Sequence, residues 1–293
     1  MKRFLLLAPL TVLTACGPPR SRTIVVGSKN FTEQAVLGEM IAQMIQAHTH
    51  LNVERRFYLG GTYICQQSIL AGRIDVYPEY TGTMLTAILK HPIGHDAAEV
   101  VRVVKREYAA QFNLDVLPPF GFNNTFAIVI RGADARQDHI RTISEAVPYE
   151  VRGRPGFGYE FMERPDGYGG LVKTYGLRFG SPPRVMDLGL LYRALISKQV
   201  DLVAGNSTDG LLDVFDVAVL EDDKDYFPPY QAVPIVRNET RDEHPEAVKA
   251  IEWLAGEVSE KEMRRLNYEV DGLHRDAGQV VRDFLSAKHL LSG

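Results

Sequence analysis

The chain is poor in cysteine and tryptophan: 293 residues hold two of the first, Cys16 and Cys65, and one of the second. So few thiols exclude a disulfide-stapled scaffold, and any separate use of Cys16 leaves Cys65 without an intramolecular partner. There is no large excess of charge; 33 basic residues face 37 acidic ones, a net of −4. A mildly acidic chain has no basic face to offer nucleic acid. No apolar run reaches the roughly 20 residues that a membrane-spanning helix requires. Also missing are Gly-x-Ser-x-Gly, a phosphate loop and a dinucleotide fingerprint. No nucleophile can be matched to a base, and an enzyme is not expected. His48 with His50, and His91 with His95, lack the Cys or carboxylate spacing of a metal site and read as solvated surface. No metal and no cofactor is expected, and neither a low-complexity segment nor a short repeat is visible.

What is present starts with a compartment signal. Lys2 and Arg3 precede an apolar stretch over residues 4–15 that ends in Leu13-Thr14-Ala15-Cys16-Gly17. A basic start, a short apolar run and small residues before the cut describe a secretory signal. The Leu-Thr-Ala-Cys run resembles a bacterial lipobox, which makes residues 1–16 a lipoprotein signal and Cys16 the lipid-bearing residue. Residues 17–22, with Gly17, Pro18 and Pro19, read as a tether. The chain is therefore expected outside the cytoplasm, in the periplasm or at the cell surface, anchored to the membrane by lipid.

The remainder, roughly 270 residues, is long enough for two lobes. Residues 23–27 form a short apolar strand, and Asn30 with Glu33 suggests a helix N-cap pair. Val36, Leu37, Met40, Ile41, Met44 and Ile45 then recur with helical period. Residues 52–58 read as a strand. Gly60-Gly61 turns into a helix ending near Gly72, and 74–77 is a further strand. Strands are also read at 126–130, 201–204 and 233–236, with helices at 190–198, 245–258, 259–266 and 277–287. Strands alternating with helices predict an α/β fold. Trp253 is expected in the core, and Cys65 as a buried, inert thiol. Gly60-Gly61-Thr62 serves either as an anion cradle at a helix N-terminus or as a tight turn.

Polar and aromatic segments gather at the predicted strand ends. They are Tyr77-Pro78-Glu79-Tyr80-Thr81-Gly82-Thr83, Gly121-Phe122-Asn123-Asn124-Thr125-Phe126, Gly205-Asn206-Ser207-Thr208-Asp209-Gly210 and Tyr226-Phe227-Pro228-Pro229-Tyr230. In open α/β folds ligands bind beyond the carboxyl ends of strands. Rings collected there suit a quaternary ammonium, which has no N–H to donate and binds by cation–π contact. The alternative is that the rings only pack loops.

Together with Gly27-Ser28-Lys29-Asn30-Phe31-Thr32-Glu33-Gln34 and Glu262-Met263-Arg264-Arg265-Leu266-Asn267-Tyr268, these segments resemble the osmoprotectant-binding family, in order along nearly the whole chain. That family comprises the glycine betaine/carnitine/choline-binding proteins of ABC importers. The resemblance implies a type II periplasmic-binding-protein fold, two α/β lobes joined by two crossover strands. Lobe 1 then spans 22–118 plus 222–293 and lobe 2 spans 119–221. It further implies capture of a quaternary-ammonium solute and its delivery to ABC permease and ATPase subunits, without bond chemistry.

Carried over by position, the resemblance makes Tyr80 and Tyr230 cage tyrosines. Phe126 replaces a third Tyr, and Asn206 stands where some members have a fourth. Thr83 replaces a carboxylate of choline-selective relatives, and Asn123 supplies a polar contact. Lys29 either reads a ligand carboxylate, pairs with Glu79 or another acid, or is solvated at a loop edge. The balance favours a carboxylate-bearing or bulkier betaine, carnitine and ergothioneine included, over choline. A same-fold protein for another solute such as an amino acid, or a sensor or enzyme on that fold, stays open.

Overall fold

Ile24, Val25 and Val26 of β1 (Thr23–Gly27) are buried, as an unbroken apolar run predicts for a strand covered on both faces. The computed structural model describes residues 22–150 and 153–291, so Cys16 and the signal and tether readings lie outside the described residues. Around β1 stand β2 (Asn52–Arg56), β3 (Val76–Tyr80) and β4 (Leu114–Val116). The second group is β5 (Phe126–Arg131), β6 (Pro155–Phe157), β7 (Arg184–Val185), β8 (Leu202–Asn206) and β9 (Val217–Leu220). The last strand is β10 (Ala232–Arg237).

Two five-stranded sheets result, in the orders β2-β1-β3-β10-β4 and β7-β6-β8-β5-β9. β1 is parallel to β2 and β3, whereas β10 runs antiparallel to β3 and β4. β6 is parallel to β7 and β8, whereas β5 runs antiparallel to β8 and β9. In each sheet the antiparallel strand is the one that arrives from the other lobe. The two connections lie side by side, bridged antiparallel at Asn123 and Gln231 and joined by Asn124 N donating to Tyr230 O at 3.0 Å. The expected α/β architecture of two lobes and two crossovers is the one present.

The helix Thr32–His48 is buried along most of its length, from Glu33 to Ile45, and packs against the helices Pro245–Glu252, Glu260–Asp271 and Ala277–Ala287. Its start differs from expectation. Phe31 is the N-cap residue and no side chain caps the turn; Glu33 points inward instead. The helix at 245 stops at Glu252, and Trp253 is half exposed, edge-on to His48 at 4.3 Å. It follows the helix end, where its ring covers His48 and adds nothing to the core. Cys65 is buried as expected, and burial pushes its thiol up to about 12. His91 pairs with Glu107 at 2.9 Å on the surface. No group of acidic, His and Cys side chains among the described residues is arranged to hold a metal.

Candidate functional site

Strand ends of both sheets converge on one cavity of about 130 Å³ between the lobes. Tyr80 ends β3, and Thr83 lies on the helical turn that follows. Phe126 opens β5 and stands opposite Asn206, the last residue of β8. Tyr230 comes from the returning crossover, just before β10. Lys29 arrives on the loop after β1. These six side chains line the cavity together. Asn123 does not: its Oδ1 accepts from the Tyr230 backbone N–H at 2.5 Å, which fixes the crossover from behind. Its neighbour Asn124 lines the cavity in its place.

The rings meet, and protein cations lie against them. Phe126 and Tyr230 lie 5.7 Å apart, nearly perpendicular, with Phe161 edge-on to Phe126 at 4.8 Å. The guanidinium of Arg164 sits 5.0 Å from the Phe126 ring centre and 5.7 Å from that of Tyr230. Lys29 Nζ lies 4.6 Å from the Tyr80 ring centre. Protein cations therefore already use one side of each of the rings that the sequence offers to a ligand cation.

Each of those cations has an acid of its own. Lys29 Nζ contacts Glu79 Oε1 at 2.5 Å and donates to Thr62 Oγ1 at 3.2 Å, all buried. Of the readings open for Lys29, pairing with Glu79 is the one observed, and solvation at a loop edge is not. Arg164 grips Asp166 through Nε at 2.9 Å and through its terminal nitrogen at 2.5 Å. The Tyr230 hydroxyl donates to the same carboxylate at 2.5 Å. Burial by itself depresses the Arg164 guanidinium, but Asp166 holds it above its ordinary value. Burial likewise pushes Asp166 up, and Arg164 pulls it back below the usual carboxylate range.

Two further carboxylates join the lobes. Glu160, on the helix Tyr159–Glu163, reaches the N-terminus of the helix Thr62–Leu70, accepting from Thr62 N and, at 3.3 Å, from Thr62 Oγ1. The Gly60-Gly61 turn thus is an anion cradle, filled by the protein's own acid. Gly60 adopts a φ of +150°, and a Cβ on Gly61 would run into Glu160. Glu33 is completely enclosed. It accepts from Tyr80 Oη at 2.7 Å, Asn124 Nδ2 at 2.7 Å, Thr208 Oγ1 at 2.5 Å and Asn267 Nδ2 at 2.9 Å. Burial raises its carboxyl above the ordinary value although all four bonds oppose the shift. Asn206 is turned onto Asp209, which accepts from its backbone N–H at 2.8 Å and from Nδ2 at 3.3 Å.

Glu160 and Arg164 carry no signal in the sequence, and Glu33 and Asn124 are read there only as a helix cap and as part of a polar segment. Charges in a polar turn such as Glu163-Arg164-Pro165-Asp166-Gly167 carry the pattern of solvated surface. The Asn123-Asn124 pair was legible as a segment, but not which of the two faces inward.

Residues 22–287 match the family of the substrate-binding domain of ABC-type glycine betaine transport systems. The chain belongs to that family. As a substrate-binding protein of the betaine class, it is the solute-capturing component of an ABC import system. The family is one of solute-binding proteins, not of enzymes. Membership implies a small-molecule ligand, a membrane permease as partner and a place outside the cytoplasm. No helix among the described residues is long and apolar enough to cross a membrane.

Individual relatives agree. A glycine-betaine-binding protein of Pseudomonas aeruginosa is 35% identical, covering 95% of this chain and 92% of its own. An ergothioneine transport permease/ergothioneine binding protein of Helicobacter pylori is 34% identical over 96% of this chain, which spans 50% of that longer protein. A solved structure described as a glycine betaine/carnitine/choline ABC transporter aligns with a TM-score of 0.75 at 31% identity, covering 92% of this chain and 100% of its own.

Proposed function

We propose that the cavity captures a betaine-type zwitterion, glycine betaine or a relative, for handover to the permease. The observation that carries this reading is the presence of both signs of charge in the cavity wall. Lys29 and Arg164 line it together with Glu160 and Asp187, while Glu79 and Asp166 neutralise the two cations from beside them. Such a wall offers partners to both ends of a ligand that separates its charges. The carboxylate end sits against Lys29 and Arg164. The methylated end lies among Tyr80, Phe126 and Tyr230, with Thr83 and Asn206 as polar contacts. Choline, a cation without a carboxylate, gains nothing from either basic group.

Capture works by closure. The lobe of residues 119–221 moves against that of 22–118 plus 222–293 about the paired crossovers, and ligand contacts made only in the closed form bias the motion. The ATPase of the importer supplies the energy of transport, and the lipid on Cys16 keeps the protein at the membrane. A second reading, a bulkier betaine such as ergothioneine, is favoured by Asn206, which puts an amide where a fourth ring would narrow the cavity.

A thermal-shift panel of glycine betaine, carnitine, ergothioneine, choline and amino acids tests the proposal, since a ligand of the folded state raises its melting temperature. Betaines are expected to stabilise the protein more than choline, and Tyr80→Ala to abolish the effect. Stabilisation by an amino acid and by no betaine would overturn it.

A further inference from the structure

Of the charged side chains that line the cavity, three are engaged with the protein itself. Lys29 pairs with Glu79, Arg164 with Asp166, and Glu160 accepts from Thr62 at the start of a helix. The fourth, Asp187, is exposed and its side chain caps no helix. Among the described residues its carboxylate has no ion-pair or hydrogen-bond partner. With both cations neutralised by acids of their own, the uncompensated charge at the cavity is negative. Tyr159 is open in the same way. It lines the cavity, is 61% exposed and, among the described residues, has neither a ring nor a protein cation against it, unlike Tyr80, Phe126 and Tyr230. The fold puts the two on neighbouring strand ends. Phe157 of β6 pairs with Val185 of β7, Met186 N donates to Phe157 O at 3.0 Å, and a Cβ on Gly158 would run into Leu188. Tyr159 and Asp187 each follow that strand pair by two residues.

Resting on the betaine reading, we infer that Asp187 and Tyr159 form the outer half of the site for the ligand's ammonium, with Asp187 as its counter-ion. A quaternary ammonium has no hydrogen to donate, so it uses charge and the face of a ring. Tyr80, Phe126 and Tyr230 supply faces on the inner side, but each is backed by a protein cation that repels a second one. Asp187 is the acid left over to offset that repulsion. It also orients the ligand. A carboxylate turned toward Asp187 meets a like charge, whereas the ammonium meets an opposite one. The zwitterion is thereby held with its carboxylate toward Lys29 and Arg164 and its methyl groups toward the rim of the second lobe. For an exposed acid such a pairing brings about threefold to fivefold in affinity.

Reversing the charge tests this, because the sign of the change reads which end of the zwitterion faces Asp187. Calorimetry with glycine betaine, carnitine and ergothioneine compares the wild type with Asp187→Asn and Asp187→Lys. The side chain is exposed and unpartnered, so both variants are expected to keep the melting temperature of the wild type. The affinity of the betaines that bind is expected to fall about threefold to fivefold in Asp187→Asn and about tenfold in Asp187→Lys. Both losses are expected to shrink at high salt. Tyr159→Leu is expected to weaken the same ligands a few-fold and Tyr159→Phe to leave them unchanged, since the ring face is what they use. Unchanged affinity in Asp187→Lys, or a gain from a carboxylate that faces the new lysine, overturns the inference and leaves the betaine reading intact. Failure of all three compounds to bind the wild type overturns both.

Discussion

The Arg164 guanidinium lies 5.0 Å from the centre of the Phe126 ring while one of its edges, Nε and a terminal nitrogen, is held by Asp166. The pair makes the cavity a site with a built-in cation, buried yet neutralised. Removing the arginine leaves Asp166 buried beside Tyr230 with its charge uncompensated. Arg164→Met is expected to destabilise the protein by roughly 3–5 kcal/mol, read as a fall in the urea midpoint. Arg164→Lys keeps the charge but loses the two-pronged grip on Asp166. It is expected to fold, and to weaken a carboxylate-bearing betaine far more than choline in calorimetry; equal losses would count against a carboxylate reader.

Lys29 and Glu79 lend themselves to a double-mutant cycle. Lys29→Met strands the Glu79 carboxylate in the interior, at a cost of about 3–5 kcal/mol. Adding Glu79→Gln neutralises the stranded acid while leaving an oxygen for the Tyr80 N–H, which Glu79 Oε1 accepts at 2.9 Å. The double variant is expected to recover most of the loss in denaturant unfolding. Additive losses would mean that the two side chains do not act as a pair.

Thr208 brings the second lobe to Glu33, through a 2.5 Å bond. Thr208→Val keeps the shape and removes the donor. A hydrogen bond to a charged group contributes about 1.5–3 kcal/mol, so the closed form loses at least tenfold in relative population. The off-rate of the best-bound betaine is expected to rise by about that factor with the on-rate nearly unchanged. A change confined to the on-rate would place Thr208 outside the closing step.

Asp209 gives the molecule a pH dependence of identifiable sign. Burial lifts its carboxyl from 3.8 to about 6, against hydrogen bonds from Asn206 and Tyr192, with Glu33 adding to the rise. Between those two values the folded chain holds a proton that the unfolded chain has released. Stability contributed by this group is therefore complete below pH 4, falls as pH rises through about 4–6, and is flat above. Glu33 acts in the same direction. Asp209→Asn is expected to flatten the slope of melting temperature between pH 4 and 6 relative to the wild type. An unchanged slope would show that Asp209 does not titrate there.

How much of this was legible depends on length and on distance along the chain. β1, β5, β8 and β10 are apolar runs that announce themselves. β4, β6, β7 and β9 have two to four residues, too few for any period to show, and were not read. Glu33 was placed correctly at the start of its helix but given a local partner, since a capping pair is the nearest use for an acid at that spacing. Its actual partners are 47, 91, 175 and 234 residues away. Trp253 was expected inside because its ring is large and apolar, yet it falls where the helix ends and the chain turns outward.

The amino-acid sequence by itself determined the α/β order and the arrival of Tyr80, Phe126, Asn206 and Tyr230 at strand ends, because hydrophobic period and turn residues act over a few positions. The tertiary structure alone decided who meets whom at the cavity: Lys29 with Glu79, Arg164 over Phe126, Glu160 on Thr62, Asn124 inward and Asn123 outward. Those choices depend on burial and on distances between lobes. A charge in a turn has the same local pattern whether it ends in solvent or in the wall of a binding site.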